Sequence, residues 1–143
     1  FLVREDKGIF VLCRTSNPGA GEFQDLMVEV DIGKMPLYQV VARRVANHWN
    51  ERGNCGLVVG ATYPSELAEV RQLVGDDIPI LVPGVGGQGG DAPTVVVAGR
   101  KNLIINSASA ILFASNGPDF ADAARVATKK LHDEIQIAHD AVA

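Results

Sequence analysis

A chain of 143 residues, 47% hydrophobic and 21% charged, is long enough to bury a core and has the balance of a globular domain. A net charge of −4, with no basic run longer than Lys129-Lys130, argues against nucleic acid as a partner, and no apolar run approaches the roughly 20 residues that span a bilayer. Cys13 and Cys55 offer neither a disulfide framework nor a metal-ligand spacing, so they read as small core residues of a protein in a reducing cytoplasm.

The opening Phe1-Leu2-Val3 has no charged n-region and no cleavage pattern, so it reads as the middle of something rather than a signal peptide. GIFVLC at 8–13 is a short apolar, β-branched run and predicts a buried strand. SNPGAGEFQDL follows as a loop rich in turn formers. Residues 36–49 predict a helix with Leu37, Val40, Val41, Val45 and Trp49 on one face, Pro36 in its first turn and GNCG as its stop. LVVG at 57–60 is a second strand, after which Pro64 and Ser65 open a helix striped by Leu67, Val70 and Val74. IPILVP at 78–83 is the third strand. Beyond a glycine-rich loop, Asp91-Ala92-Pro93 reads as cap and first turn for TVVVAG, although three valines suit a strand equally well. NLIIN at 102–106 is the fourth strand. Asp119 caps a final helix whose stripe runs Phe120, Ala124, Ala127, Leu131, Ile135, Ala138. Trp49 reads as a helix anchor, His48, His132 and His139 as solvated helix positions, and Arg43, Arg44 and Arg71 as solvated helix charges. Arg14, at the end of the first strand, has a better claim to a ligand or interface.

Strands alternating with amphipathic helices imply an α/β fold with a parallel sheet, and nearly all-apolar strands imply that both its faces are covered. Loops after strands carry Gly, Ser, Asn and Gln while the return loops are plain, so function is expected at the C-terminal ends of the strands. A doubly wound sheet and a (β/α)8 barrel both fit this pattern. Four βα units would be half of such a barrel, with two open edges and an uncovered face, needing another half or a second copy.

PGVGGQGGD, 83–91, has five glycines in nine residues. Its GVGGQG satisfies the dinucleotide fingerprint G-x-G-x-x-G, but no acid follows the next strand, where the sequence reads NSASA, so a nicotinamide-dependent dehydrogenase is disfavoured. Barrels commonly bind phosphate between the loops after strands 7 and 8. If these are the last four strands, PGVGGQGG and NSASA are those loops, with Gln88 the only long side chain of the first. A loop that is glycine-rich merely to turn tightly is the alternative.

RTSNPGAGEFQDL, GLVVGATYPSELAEVR, ILVPGVGGQGGD and LIINSASAILFAS resemble, in order, consecutive blocks of the longer-chain branch of the orotidine 5′-phosphate decarboxylase family. The likeness runs over nearly all of the chain and matches the C-terminal half of that enzyme. It implies a single half-barrel domain over 1–143, corresponding to barrel strands 5–8. It implies pyrimidine contacts from Thr15, Ser16 and Asn17. It further implies a closing, phosphate-binding loop of Pro83, Gly84, Gly86, Gln88 and Gly89, with Ser109 at the second phosphate turn. Remote phosphate binding would be used to close the site and stabilise the transition state.

Two departures qualify that expectation. The family's catalytic Asp-x-Lys-x-x-Asp array is absent; Lys7, Lys34, Lys101, Lys129 and Lys130 all lie elsewhere, and DIGKM has neither the spacing nor the second acid. No residue of this chain is therefore expected to be catalytic. Ser109 also stands where the family has a phosphate-clamping arginine, for which Arg100 is a nearby substitute. The expected ligand is a nucleotide monophosphate, orotidine 5′-phosphate or UMP, with no metal and no cofactor. The expected partner is the missing N-terminal half-barrel or, for a non-catalytic self-associating half-barrel, a second copy in a homo-oligomer.

Overall fold

The computed structural model describes residues 2–142; Phe1 and Ala143 lie outside the described residues. In chain order the elements are β1 (Ile9–Arg14), α1 (Gly21–Gln24), β2 (Met27–Val30), β3 (Gly33–Pro36) and α2 (Leu37–Arg44), which runs on as a π-helical turn, Val45–Trp49. There follow β4 (Cys55–Val59), α3 (Pro64–Val74), β5 (Ile80–Pro83), α4 (Ala92–Gly99), β6 (Leu103–Asn106), α5 (Ser109–Leu112) and α6 (Phe120–Val142).

The four apolar runs pair as one wholly parallel sheet in the order β1-β4-β5-β6. A doubly wound sheet reverses direction at a switch point. This one does not: each strand is laid beside the last, as in an arc of a barrel. Because side chains alternate along a strand, the register puts Ile9, Val11, Leu57, Val59, Ile80, Val82, Leu103 and Ile105 on one face, where they join the core beneath the helices. Phe10, Leu12, Val58, Leu81 and Ile104 alternate onto the other face. There Phe10, Leu12 and Ile104 remain 46%, 66% and 47% exposed. Phe10 lies across Gly56, where an added Cβ would come within 2.5 Å of its ring.

TVVVAG is helical because Asp91 accepts the Thr94 N–H at 2.9 Å and Pro93 sits in the first turn. With Val95 and Val96 fully buried, packing overrides the strand preference of valine. Leu67 and Val70 of α3 enter the same core, joined by Leu131, Ile135 and Ala138 of α6. Phe120, the first position of the expected α6 stripe, is exposed, and Asp119 accepts the Ser115 hydroxyl at 2.6 Å. Trp49 is 41% exposed, so it is no core anchor. The antiparallel hairpin β2–β3, with Val30 opposite Gly33, falls in a stretch the sequence pattern left unassigned.

Arg71 corrects its sequence assignment. It is buried, and its guanidinium donates to the carbonyls of Gly99 (2.7 Å), Gly75 (2.7 Å), Ile78 (2.8 Å) and Lys101 (2.6 Å). Burial pulls its pKa down, yet a guanidinium stays charged, and its fork ties together the α3–β5 and α4–β6 turns. Arg71→Met keeps the stem and strips four carbonyls of their donor, two of those bonds being buried; urea unfolding is expected to show a loss of about 3 kcal/mol. Arg71→Lys recovers only part, since one ammonium cannot span four carbonyls.

Candidate functional site

The C-terminal ends of the four strands carry turns that touch one another. Main-chain bonds set them: the Gly60 N–H reaches the Arg14 carbonyl at 2.8 Å, and the Ala61 N–H reaches the Pro83 carbonyl at 2.9 Å. Gly60 approaches so close to Ser16 that a Cβ would lie 3.0 Å from the Ser16 Cβ.

Val85, 2% exposed, pins the glycine-rich turn to the core, and Asp91 ends it by capping α4. Between them Gly84, Gly86 and Gly89 take φ of +96°, +77° and +87°, conformations that glycine adopts without strain. The turn also closes on itself: the N–H groups of Gly86, Gly87, Gly89 and Gly90 donate to the carbonyls of Gly90, Val85, Gly86 and Gly84. Five glycines thus serve folding as well as any ligand, since four of the turn's N–H groups are engaged within it. The next turn packs against it. A Cβ on Gly86 would lie 3.2 Å from the Ala110 Cβ, and one on Gly87 would strike the Ser109 Oγ at 2.1 Å.

The sequence-assigned residues therefore come together. Thr15, Ser16 and Asn17 follow β1, Pro83 ends β5, and Ser109 opens α5 directly after β6. Across the rim the Ser16 hydroxyl donates to Gln88 Oε1 at 3.1 Å, linking the turn after β1 to the glycine-rich turn 72 residues on. Gln88 is exposed, and its amide N–H groups remain available to an acceptor. Arg100 is not brought to Ser109: it precedes β6, at the opposite end of that strand, and pairs with Asp76 at 3.1 Å. Lys130 of α6 lines a cavity of about 240 Å³ together with Gly86, Ser107 and Ala110. The Ser107 Oγ is buried without a partner.

Beneath the turn after β1 lies a buttress missed in the sequence. Arg14 is buried; it donates to Gln24 Oε1 and Asp25 Oδ2, each at 3.1 Å, and stacks over the Tyr63 ring at 4.0 Å. Gln24 Oε1 also accepts the Thr15 main-chain N–H at 2.9 Å, and Gln24 Nε2 donates to Thr15 Oγ1 at 3.0 Å. Thr15 Oγ1 in turn donates to Asn17 Oδ1 at 2.5 Å. In the sequence Arg14 stood out at the end of the first strand, but Gln24 and Asp25 did not, since they lie in a stretch read as loop.

Burial pushes the Cys13 thiol up to about 12 and raises that of Cys55, so neither is a nucleophile at neutral pH. Among the described residues no cluster of three or more His, Cys, Asp or Glu is placed to hold a metal ion, and no helix is long and apolar enough to cross a membrane.

A family model described as orotidine 5′-phosphate decarboxylase / HUMPS matches residues 2–124. The chain belongs to that family. It is 53% identical over 139 residues to the orotidine 5′-phosphate decarboxylase of Azoarcus sp. (strain BH72), covering 94% of this chain and 50% of that protein. It is 51% identical over 142 residues to that of Cellvibrio japonicus (strain Ueda107), covering 96% of this chain and 50% of the relative. Among solved structures it aligns with Leishmania donovani UMP synthase (TM-score 0.79, 37% identity), over 96% of this chain and 29% of the other. Leishmania donovani OMP decarboxylase aligns with TM-score 0.73 and 33% identity, over 94% of this chain and 50% of the other. The chain spans about half the length of the curated relatives it matches, and its four-stranded sheet is half of the family's (β/α)8 barrel.

Two measurements probe the rim. Gly90 is packed so that a Cβ would sit 2.3 Å from the Ala61 Cβ and 3.0 Å from the Gly84 carbonyl. Gly90→Ala should therefore lower stability by about 1–3 kcal/mol in urea titrations. Hydrogen bonds from the Thr94 hydroxyl and N–H hold the Asp91 carboxyl below its ordinary 3.8. The cap's contribution is thus present above that unfolded value and fades as pH falls through the lower folded one. In Asp91→Asn this acid-side dependence of unfolding free energy should be lost.

Proposed function

We propose that this chain supplies the pyrimidine- and phosphate-binding half of an orotidine 5′-phosphate decarboxylase, converting orotidine 5′-phosphate to UMP and CO2. The observation that carries the reading is the Ser16–Gln88 bond, which joins the two turns assigned to opposite ends of one nucleotide. Thr15, Ser16 and Asn17 face the ring edge with hydroxyl and amide groups. Pro83, Gly84, Gly86, Gln88 and Gly89 form the turn over the phosphate, and Ser109 borders it from α5.

Catalysis itself is assigned to the complementary half, because this chain has no Asp-x-Lys-x-x-Asp array. A lysine there would protonate the ring carbon that CO2 leaves, and carboxylates beside it would disfavour the substrate carboxylate. This half contributes binding energy remote from the reacting carbon, which stabilises the transition state when it assembles the site. With serine at 109, the phosphate lacks the charge-assisted clamp that an arginine would give it. Gln88 therefore carries a larger share of its recognition.

The complementary half would also cover the face exposing Phe10, Leu12 and Ile104, and pair the free edges of β1 and β6. A second reading, a non-catalytic homodimer that covers the same face with a second copy, draws on that exposed face and the missing array. Sedimentation separates the two: a stable dimer of this chain that ignores the complementary half favours the second.

Mixing the chain with the N-terminal half of the Azoarcus relative is expected to restore loss of orotidine 5′-phosphate absorbance. A well-folded complex without turnover would overturn the reading. In the active complex, Gln88→Ala should raise KM about tenfold, the equivalent of one hydrogen bond to a charged group.

A further inference from the structure

We infer that Gln24, held by the buried Arg14, is a positioning residue that fixes which end of the Asn17 amide faces the ligand, and so selects a ring carbonyl over a ring amino group. This rests on the placement of the ring edge at Thr15–Asn17 proposed above.

The polarity of the relay follows from proton counting. Arg14 has only donors, and the Thr15 main-chain N–H is a donor; both converge on one atom of Gln24, at 3.1 and 2.9 Å. That atom must be the amide oxygen, since an NH2 there would face two donors. The Gln24 NH2 group is therefore turned to Thr15 Oγ1, 3.0 Å away, and a hydroxyl oxygen that accepts this bond directs its own proton elsewhere. Asn17 lies 2.5 Å away, within the range of an O–H···O bond and short of an N–H···O one, so the proton goes there and the recipient is the oxygen. The Asn17 NH2 group is left outward on an exposed residue, its one internal contact a long 3.4 Å approach to the Pro18 carbonyl.

Each link is thus set by the one before it, beginning from a cation that cannot accept. Arg14 is itself immobilised: it is buried, Asp25 takes its second nitrogen and Tyr63 covers its face, so the half-buried Gln24 amide keeps its oxygen turned toward it. An outward NH2 pairs with the exocyclic oxygen of a 4-oxopyrimidine and opposes the amino group of a 4-aminopyrimidine. A site built around such a bond rejects the analogue that leaves two donors facing each other.

Gln24→Glu inverts the relay without changing its shape. The carboxylate still accepts from Arg14 and from the Thr15 N–H, and gains an ion pair that supports the fold. Its second oxygen now takes the Thr15 hydroxyl proton, so Thr15 Oγ1 becomes an acceptor and Asn17 turns its oxygen outward. UMP and CMP are titrated against the chain, alone and with its complementary half, for the unaltered protein and for Gln24→Glu, with circular dichroism to establish folding. The unaltered protein is expected to prefer UMP, and Gln24→Glu to lose at least about tenfold of that preference while retaining affinity for inorganic phosphate. A folded Gln24→Glu with undiminished preference would overturn the relay and leave the site assignment standing. Failure of the unaltered protein to bind UMP in either form would overturn the site assignment and the relay with it. Should Gln24→Glu not fold, the unaltered chain decides through the side-chain amide resonances of Asn17: a shift with UMP supports the relay, and an equal shift with CMP overturns it.

Discussion

A parallel sheet buried between helices and a second layer must satisfy two faces at once, and in this chain only one face is satisfied. The outward residues of β1, β4, β5 and β6 join the core beneath the helices, and the oily character of all four strands was written for burial on both sides. The inner face instead exposes Phe10, Leu12 and Ile104, with Gly56 leaving room for the Phe10 ring to lie flat. Exposed apolar surface of this kind, on a sheet with free edges, is what a partner removes from water. The chain spans about half the length of the curated relatives it matches, and one of the two faces of its sheet is covered by helices.

The helical side of the sheet is stable enough to set the rim, and it does so from a distance. Arg71 knots the turns at the far end of the strands, where no ligand is expected, while Val85 and Asp91 fasten both ends of the glycine-rich turn. The division matches what the (β/α) architecture allows: one end of the strands carries stability, the other carries variation. The glycine-rich turn itself is held by its own backbone. Its flexibility is removed by four internal main-chain bonds rather than by side chains, leaving a surface that backbone and ligand can approach closely.

Four strands, three long helices and their parallel order were legible because apolar runs and stripes of period three to four are properties of a single segment. The α4 segment was ambiguous for the same reason: Val95, Val96 and Val97 favour a strand locally, and the Asp91 cap together with burial decides otherwise. What could not be read depends on pairs far apart in sequence. Arg71 looks like any solvated helix arginine until the turns 28 and 30 residues later fold back onto it. Arg100 looked close to Ser109 in the chain, yet β6 separates them by its full length. The β2–β3 hairpin lacks the Asn-Gly or Asp-Gly signal that marks tight turns, since its Asp31 and Gly33 flank Ile32. The candidate site was legible as a set of residues and turns; its internal wiring was not.

That wiring makes the chemistry of the rim directional. Hydroxyls and amides can each give or take a proton, so a site made only of Thr, Ser, Asn and Gln is ambiguous about what it recognises. A buried cation narrows the ambiguity because it can only donate: the Gln24 amide bonded to it turns its oxygen inward, and the short Thr15–Asn17 contact carries that sense one step further. Arg14 occupies that position, one residue before the turn and shielded by Tyr63 and Asp25. Its charge does its work at second hand, never touching a ligand, and the exposed face of the site can remain neutral. Under the proposed assignment a neutral ring edge beside an anion-binding turn is a sensible separation, since a cation placed at the ring would compete for the phosphate and bind the nucleotide in reverse.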